Sequence, residues 1–273
     1  MAAAPIEMTV RRPRFDYEET PRNWMPGNPD FGYRLNGGSL TLPYLEPYLI
    51  RVMRMAKEQL GDRYSALKAD IDLFNGQEAN HFKLHQSYNQ LLRDRYDGLE
   101  ALERELEADF ARMLREESLL FNLGYSAGFE TTGMITAQLY FEGATEGMVG
   151  ADASVHGLWG WHLAEEYEHR CVAFDVFRAL GGGYRKRLEL FFFQARHLES
   201  FGLKASTLMR EQDEAAGRLL ITPQEQATFD ALGRKSARFA KSRLIRALMP
   251  WHNPRRHAPL VPADSFLGDL EFD

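Results

Sequence analysis

Between Ser118 and Phe141 the chain reads SLLFNLGYSAGFETTGMITAQLYF, with a single charged residue, Glu130, near its middle. A helical stretch this apolar belongs in an interior, either a packed core or a bilayer. Asn122, Ser126, Thr131, Thr132, Gln138 and several glycines favour the core. A carboxylate buried there without a partner would cost several kcal/mol. Glu130 therefore demands a metal ion, an arginine or a proton. Glu46 poses the same problem, being the only charge from Leu40 to Ile50.

Two motifs of the form Glu-x-x-His offer the metal. They are Glu78-Ala-Asn-His81 and Glu166-Tyr-Glu-His169. Residues three apart on a helix share a face, so each motif presents one oxygen and one nitrogen to the same point. Random placement of 24 Glu and 8 His in 273 residues yields about 0.7 such matches, so the motifs alone decide little. Their company decides more. Each half of the chain has a lone glutamate followed by Glu-x-x-His, at offsets of 78 − 46 = 32 and 166 − 130 = 36 residues. Either offset suits a helix hairpin. Di-iron carboxylate bundles use this unit twice, with one glutamate from each of two further helices.

The expected fold class is all-α: a ferritin-like four-helix bundle with a crossover helix and additional C-terminal helices. The expected metal ligands are Glu46, Glu78, His81, Glu130, Glu166 and His169, around two metal ions. Four carboxylates and two imidazoles favour iron, with manganese the alternative, over a closed structural zinc site. Pro47 directly follows Glu46 and can distort the turn, which leaves Glu58 on the same helix as its rival.

Residues 1–38, rich in Pro, Gly, Arg and aromatics, read as an extended arm anchored by Phe15, Trp24, Met25 and Phe31 and closed by Gly37-Gly38. Residues 39–248 read as one helical metal-binding domain. Its helices run from about Thr41 to Leu60, Arg63 to Tyr96, Leu99 to Glu117 (the charged crossover), Ser118 to Phe141, Asp152 to Leu180, Tyr184 to Arg210 and Pro223 to Leu248. Residues 249–273, with four prolines, read as an irregular tail. The net charge of −6 gives no reason to expect nucleic acid. A single cysteine, Cys171, excludes a disulfide framework, and the N-terminus has no apolar signal region, so a cytoplasmic location is expected.

The segments VRRPRFDYEETPRNWMPGNP, LTLPYLEPYLIRVMRMA, NGQEANHFKLHQSYN and LWGWHLAEEYEHRCVAFDVF resemble a widespread bacterial family known as predicted metal-dependent hydrolases. The resemblance runs from about Thr9 to Phe177 and is most specific at the two histidine-bearing segments. It implies metal dependence without settling the reaction.

Two more histidines share these faces: His85, seven residues beyond Glu78, and His162, seven before His169. In antiparallel helices both point to one end of the site, as outer-shell groups or a polar mouth, or else they are ordinary hydrogen-bonded histidines. Glu165 and Glu168 read as helix-face charges, one of which can orient a ligand. Phe74, Phe82, Tyr88, Phe129, Tyr140 and Phe174 read mostly as core, with an apolar pocket beside the metals the sharper alternative.

The functional expectation is an oxidase or oxygenase that uses O₂ as co-substrate on a small apolar organic molecule, supplied by an electron donor if an oxygenase. Hydrolysis by a metal-activated water and non-enzymatic metal binding stand as alternatives. Phosphate loops, nucleophile elbows and Cys-x-x-Cys pairs are absent from the sequence. From Arg234 to Arg256 eight basic residues occur without an acid, interleaved with Phe239, Leu244, Leu248 and Trp251. Such a stretch is either a solvated helix face against an acidic body or a peripheral membrane contact.

Overall fold

The computed structural model describes residues 7–272, and among these the regular structure is helical, with no strand. The helices are α1 (Pro29–Ser39), α2 (Leu42–Gln59), α3 (Ser65–Arg95), α4 (Leu99–Glu116) and α5 (Leu119–Gln138). They continue with α6 (Ala153–His169), α7 (Val172–Ala179), α8 (Tyr184–Ala215), α9 (Pro223–Leu248) and α10 (Val261–Asp269).

Four of them close a ring: α2 packs on α3, α3 on α6, α6 on α5 and α5 on α2. Side-chain pairs give their directions. Lys57 late in α2 meets Asp72 early in α3, so these helices are antiparallel. Gln77 meets Glu168 while His85 meets His162, which makes α3 and α6 antiparallel. Gly133 abuts Glu166, and Tyr140 just past α5 reaches His156 early in α6, so α5 and α6 are antiparallel as well. Hence α3 and α5 run the same way, and the chain between them must return along the bundle. The charged α4 makes that return. Gly98 turns into it at φ +86°, a conformation glycine adopts without strain. Leu99, Leu106, Phe110 and Met113 face inward against α2 and α8 with Glu103, which Arg93 of α3 neutralises, and the other charges of α4 lie on the outer side.

The N-terminal region is not extended throughout, contrary to the expectation for residues 1–38. Residues 29–39 form α1 because Asn28 caps it, its side chain accepting from the Phe31 N–H, and Pro29 suits the first turn. Residues 1–6 of that arm lie outside the described residues. Gly37 and Gly38 sit within α1 rather than after it. A Cβ on Gly37 would lie 2.1 Å from the Gly202 carbonyl oxygen, so glycine lets α1 and α8 touch backbone to backbone. The expected helix from Asp152 to Leu180 is broken at Arg170-Cys171 into α6 and α7. The Arg170 guanidinium fixes that turn by bonding the carbonyls of Tyr167, Pro254 and His257. The tail is likewise more regular than expected. Its prolines start turns instead of preventing them: Pro254 follows the Asn253 cap, and Pro262 lies in the first turn of α10. Phe266 of α10 packs against Gly160, where a Cβ would come within 2.3 Å of the ring.

No described helix is long and apolar enough to cross a membrane. The α5 stretch is core, buried on nearly every face by α2, α6, α7 and α8.

Candidate metal centre

Each helix of the ring delivers carboxylate or imidazole to one buried point: Glu46 from α2, Glu78 and His81 from α3, Glu130 from α5, and Glu166 and His169 from α6. All six are fully shielded from solvent. His85 and Glu165 are equally buried, and His162 nearly so. Glu58, the rival of Glu46, is instead exposed in a surface cleft beside Lys57 and Asp72.

Donor atoms of these residues fall into two groups that share one member. Glu46, His81, His162 and Glu166 each bring an atom within 4.8 Å of the others, and Glu78, Glu166 and His169 do the same. His162 Nε2 lies 3.4 Å from Glu166 Oε1. His169 Nε2 lies 3.3 Å from Glu130 Oε2 and 3.6 Å from an oxygen of both Glu78 and Glu166. Atoms bound to one ion at about 2.1 Å are themselves about 3 to 4 Å apart, so these spacings are those of ligands around a cation. Glu166 belongs to both groups.

The polar atoms here are otherwise unsatisfied. Both oxygens of Glu46, Glu78, Glu130 and Glu166 are buried without a hydrogen-bond donor, as are His81 Nδ1 and His169 Nε2. Buried polar groups are nearly always paired, and so dense a set of exceptions calls for a cation. Burial, then the neighbouring carboxylates, pushes Glu46, Glu78 and Glu130 far above the usual carboxylate range. Burial opposes Glu166 too, yet the His169 and His162 imidazoles hold it below that range. His81 and His85 are driven below the ordinary imidazole value, chiefly by burial and then by His162, so both are neutral and able to ligate or accept. Four ionised carboxylates with neutral imidazoles carry a charge that two divalent cations cancel; a single one would leave the dry core strongly negative. The residues fit a bound divalent metal.

Outer hydrogen bonds fix which ring nitrogen faces inward. Gln77 Oε1 lies 3.0 Å from His169 Nδ1, which leaves Nε2 toward the carboxylates. Glu165 Oε2 lies 3.1 Å from His81 Nε2, which leaves Nδ1 inward. His85 Nε2 lies 3.1 Å from His162 Nδ1, and His85 Nδ1 lies 2.8 Å from Ser39 Oγ. With His162 donating to His85, and His85 to Ser39, the Ser39 hydroxyl is free to donate to Asn89 Oδ1. That orientation turns His162 Nε2 toward Glu166. Arg11 ties the other end, bonding Glu165 and Glu168, while Gln77 donates to Glu168. Gly133 is the matching cradle on α5: a Cβ there would lie 2.2 Å from Glu166 Oε2.

Residues 9–258 match the family described as predicted metal-dependent hydrolase. The chain belongs to that family. No curated protein and no solved structure matches it significantly. The family match extends past the four sequence segments that resemble it, through α8 and α9, so the outer helices are part of the family's fold. The family's description and the buried Glu/His cluster agree on metal dependence.

Sequence reasoning placed His162 outside the ligand set, whereas its ring lies within donor spacing of Glu46, His81 and Glu166. The signal was present: in His162-x₃-Glu166-x₂-His169 all three residues share one helix face. Glu165 and Glu168 are not mere helix-face charges, since both are bonded to Arg11 from the N-terminal arm. Of the aromatic residues considered for a pocket, Phe74 packs edge-on to His169 at 4.8 Å. Tyr88 bonds Asn36 and Tyr140 bonds His156, as core residues do.

Proposed function

We propose that this chain is an enzyme with a two-metal carboxylate–histidine centre, and that with iron it oxidises an apolar organic substrate by O₂. The carrying observation is the pair of donor groups that share Glu166, with every inward oxygen of four glutamates lacking a donor. The supporting scaffold is a ferritin-like bundle, in which α2, α3, α5 and α6 hold the ligands and α4 is the crossover. The parallel course of α3 and α5 supports that reading. In it Glu46, His81 and His162 would hold one ion and Glu78, Glu130 and His169 the other, with Glu166 within reach of both groups.

A reduced iron pair would supply electrons to dioxygen, and a donor set of four glutamates and three histidines suits iron or manganese better than a closed structural zinc site. The chain's own part is geometry and dryness. Gln77, Glu165 and His85 hold the three imidazoles in the tautomer that points inward, and such outer-shell bonds are worth 10- to 100-fold in affinity or activity. Burial of the site keeps water from competing reactions. An external electron donor and a small apolar substrate complete the proposal. Membrane contact through residues 234–256 rests on the exposed Arg234, Arg238 and Lys241, since Lys235 and Arg243 already pair with Glu146 and Glu142.

Hydrolysis is the second reading, and the family's description favours it where it lends oxidation no support. A metal pair then supplies Lewis acidity and a water of lowered pKa. What supports oxidation is the donor set alone. Anaerobic iron loading, reduction and exposure to air-saturated buffer separates the two. Oxidation predicts rapid uptake of about one O₂ per metal pair, abolished in Glu130→Ala. Absence of uptake, with ester or phosphoester cleavage by the zinc-loaded protein, replaces oxidation with hydrolysis.

A further inference from the structure

On the far side of α5 from the metal centre, α1, α5, α8 and α9 diverge around a cavity of about 670 Å³. It is well within the range that holds a small organic ligand. Close glycine contacts at its borders explain why it exists. Leu190 and Phe191 of α8 press on Gly124 and Gly128 of α5, and Gly202 of α8 meets Gly37 of α1. Between these two crossings α8 contributes Gln194, Ala195 and Leu198 to the lining, and α9 contributes Ala237, Ala240 and Leu244.

The walls are more apolar than their sequence implies. Thr132, Thr41 and Ser206 all line the cavity, yet their hydroxyls donate to the carbonyls of Gly128, Gly38 and Gly202, within their own stretch of chain. That leaves aliphatic and aromatic surface from Ile135, Leu139, Phe191, Leu198 and Leu244. Thr136 and one amide break the pattern. Gln194 is 1% exposed, lines the cavity, and its Oε1 is buried with no donor. An unsatisfied amide oxygen is exceptional among buried polar groups. At the mouth stand Arg34 and Lys241, both exposed and neither in an ion pair among the described residues, with Glu199 the one acid beside them.

We propose that this cavity binds a single-chain amphipathic carboxylate, with the apolar chain inside against α5 and α8 and the acid group at Arg34 and Lys241. The wall at Gly38 is backed by the Trp159 ring, whose other neighbours are His85 and His162 at ring distances of 4.9 and 5.6 Å. The bound molecule therefore lies one indole from the metal centre's histidines. The assignment does not depend on which reaction that centre performs.

Calorimetric titration of the full chain with decanoate, decanol and decyltrimethylammonium tests it. Decanoate is expected to bind at one site per chain and the cation not to bind. Ala195→Trp, which fills the cavity, should abolish decanoate binding, and Ala240→Phe gives a second filling from α9 should the first variant fold poorly. Arg34→Ala combined with Lys241→Ala should weaken decanoate about tenfold while leaving decanol unchanged. Saturable binding that survives both filling variants overturns the proposal, as does equal binding of the cation. Association with phosphatidylglycerol vesicles, without uptake of free decanoate, overturns it as well and assigns the basic face of α9 instead.

Discussion

Glu166 is the one side chain common to both donor groups, and the consequences of removing it differ from those of removing a residue of either group. Glu166→Ala should abolish binding of both ions, whereas His162→Ala should leave roughly one metal per chain, because the Glu78 and His169 group stays intact. Elemental analysis of the two purified variants checks this, and equal losses would contradict the assignment of His162 to one ion only. Gln77→Leu removes the acceptor for His169 Nδ1 and should weaken metal binding about 10- to 100-fold with the fold intact, as measured by competition with a chelator. Gly133→Ala should do the same by steric means, since its Cβ would overlap Glu166 Oε2. At this scale the buried Glu/His cluster was legible because lone glutamates in neutral stretches and Glu-x-x-His spacing are properties of single helices. Gln77, Ser39 and Arg11 were not, and Glu165 was read only as one of two flanking charges of which one can orient a ligand. Each acts through the packing of one segment against another, α3 on α6 or the arm on both, and no spacing within one helix encodes that.

Helix contacts through glycine set where α8 lies and thereby shape both faces of α5. The Gly37–Gly202 contact leaves no room for a methyl group, so Gly37→Ala must push α1 from α8. A cost of about 1–3 kcal/mol is expected, seen as a melting temperature several degrees lower. An unchanged melting temperature would mean that the two helices part without cost. Long helices were readable from their periodicity and their glycine stops, as α3 and α4 illustrate. Short ones were not, for a physical reason. Asn28-Pro29 and the tail prolines are equally good as helix starts and as loop formers, and only the neighbours decide between them: Trp24 and Met25 against Gly32, Phe266 against Gly160. The break after α6 is decided by Arg170 bonds to carbonyls of the C-terminal segment, more than eighty residues away in sequence, which no local signal carries.

The molecule as a whole concentrates four carboxylates in its driest region, so its stability must respond to pH and to metal in opposite ways. In the metal-free protein Glu46, Glu78 and Glu130 hold protons well above the value of about 4.3 that a free glutamate shows. Near neutrality the folded chain thus binds more protons than the unfolded one, and stability falls as pH rises. The metal-free melting temperature should increase from about pH 9 down to about pH 7. Below about 6.5 the gain slows, because His81 and His85, held neutral in the fold, become charged only on unfolding and offset part of the protons held by the three glutamates. The metal-loaded protein should lose stability on acidification throughout, as protons displace the ions. Parallel pH profiles for the two forms would contradict the ligand assignment. The most direct measurement is metal content per chain after supply of iron, manganese and zinc together, for the wild type beside Glu130→Ala and His169→Ala. About two ions per wild-type chain, falling to about one in both variants while each still folds, is the predicted result. A wild-type protein without bound metal, folded and as stable as its variants, would contradict it, and the buried glutamates would then be protonated core residues.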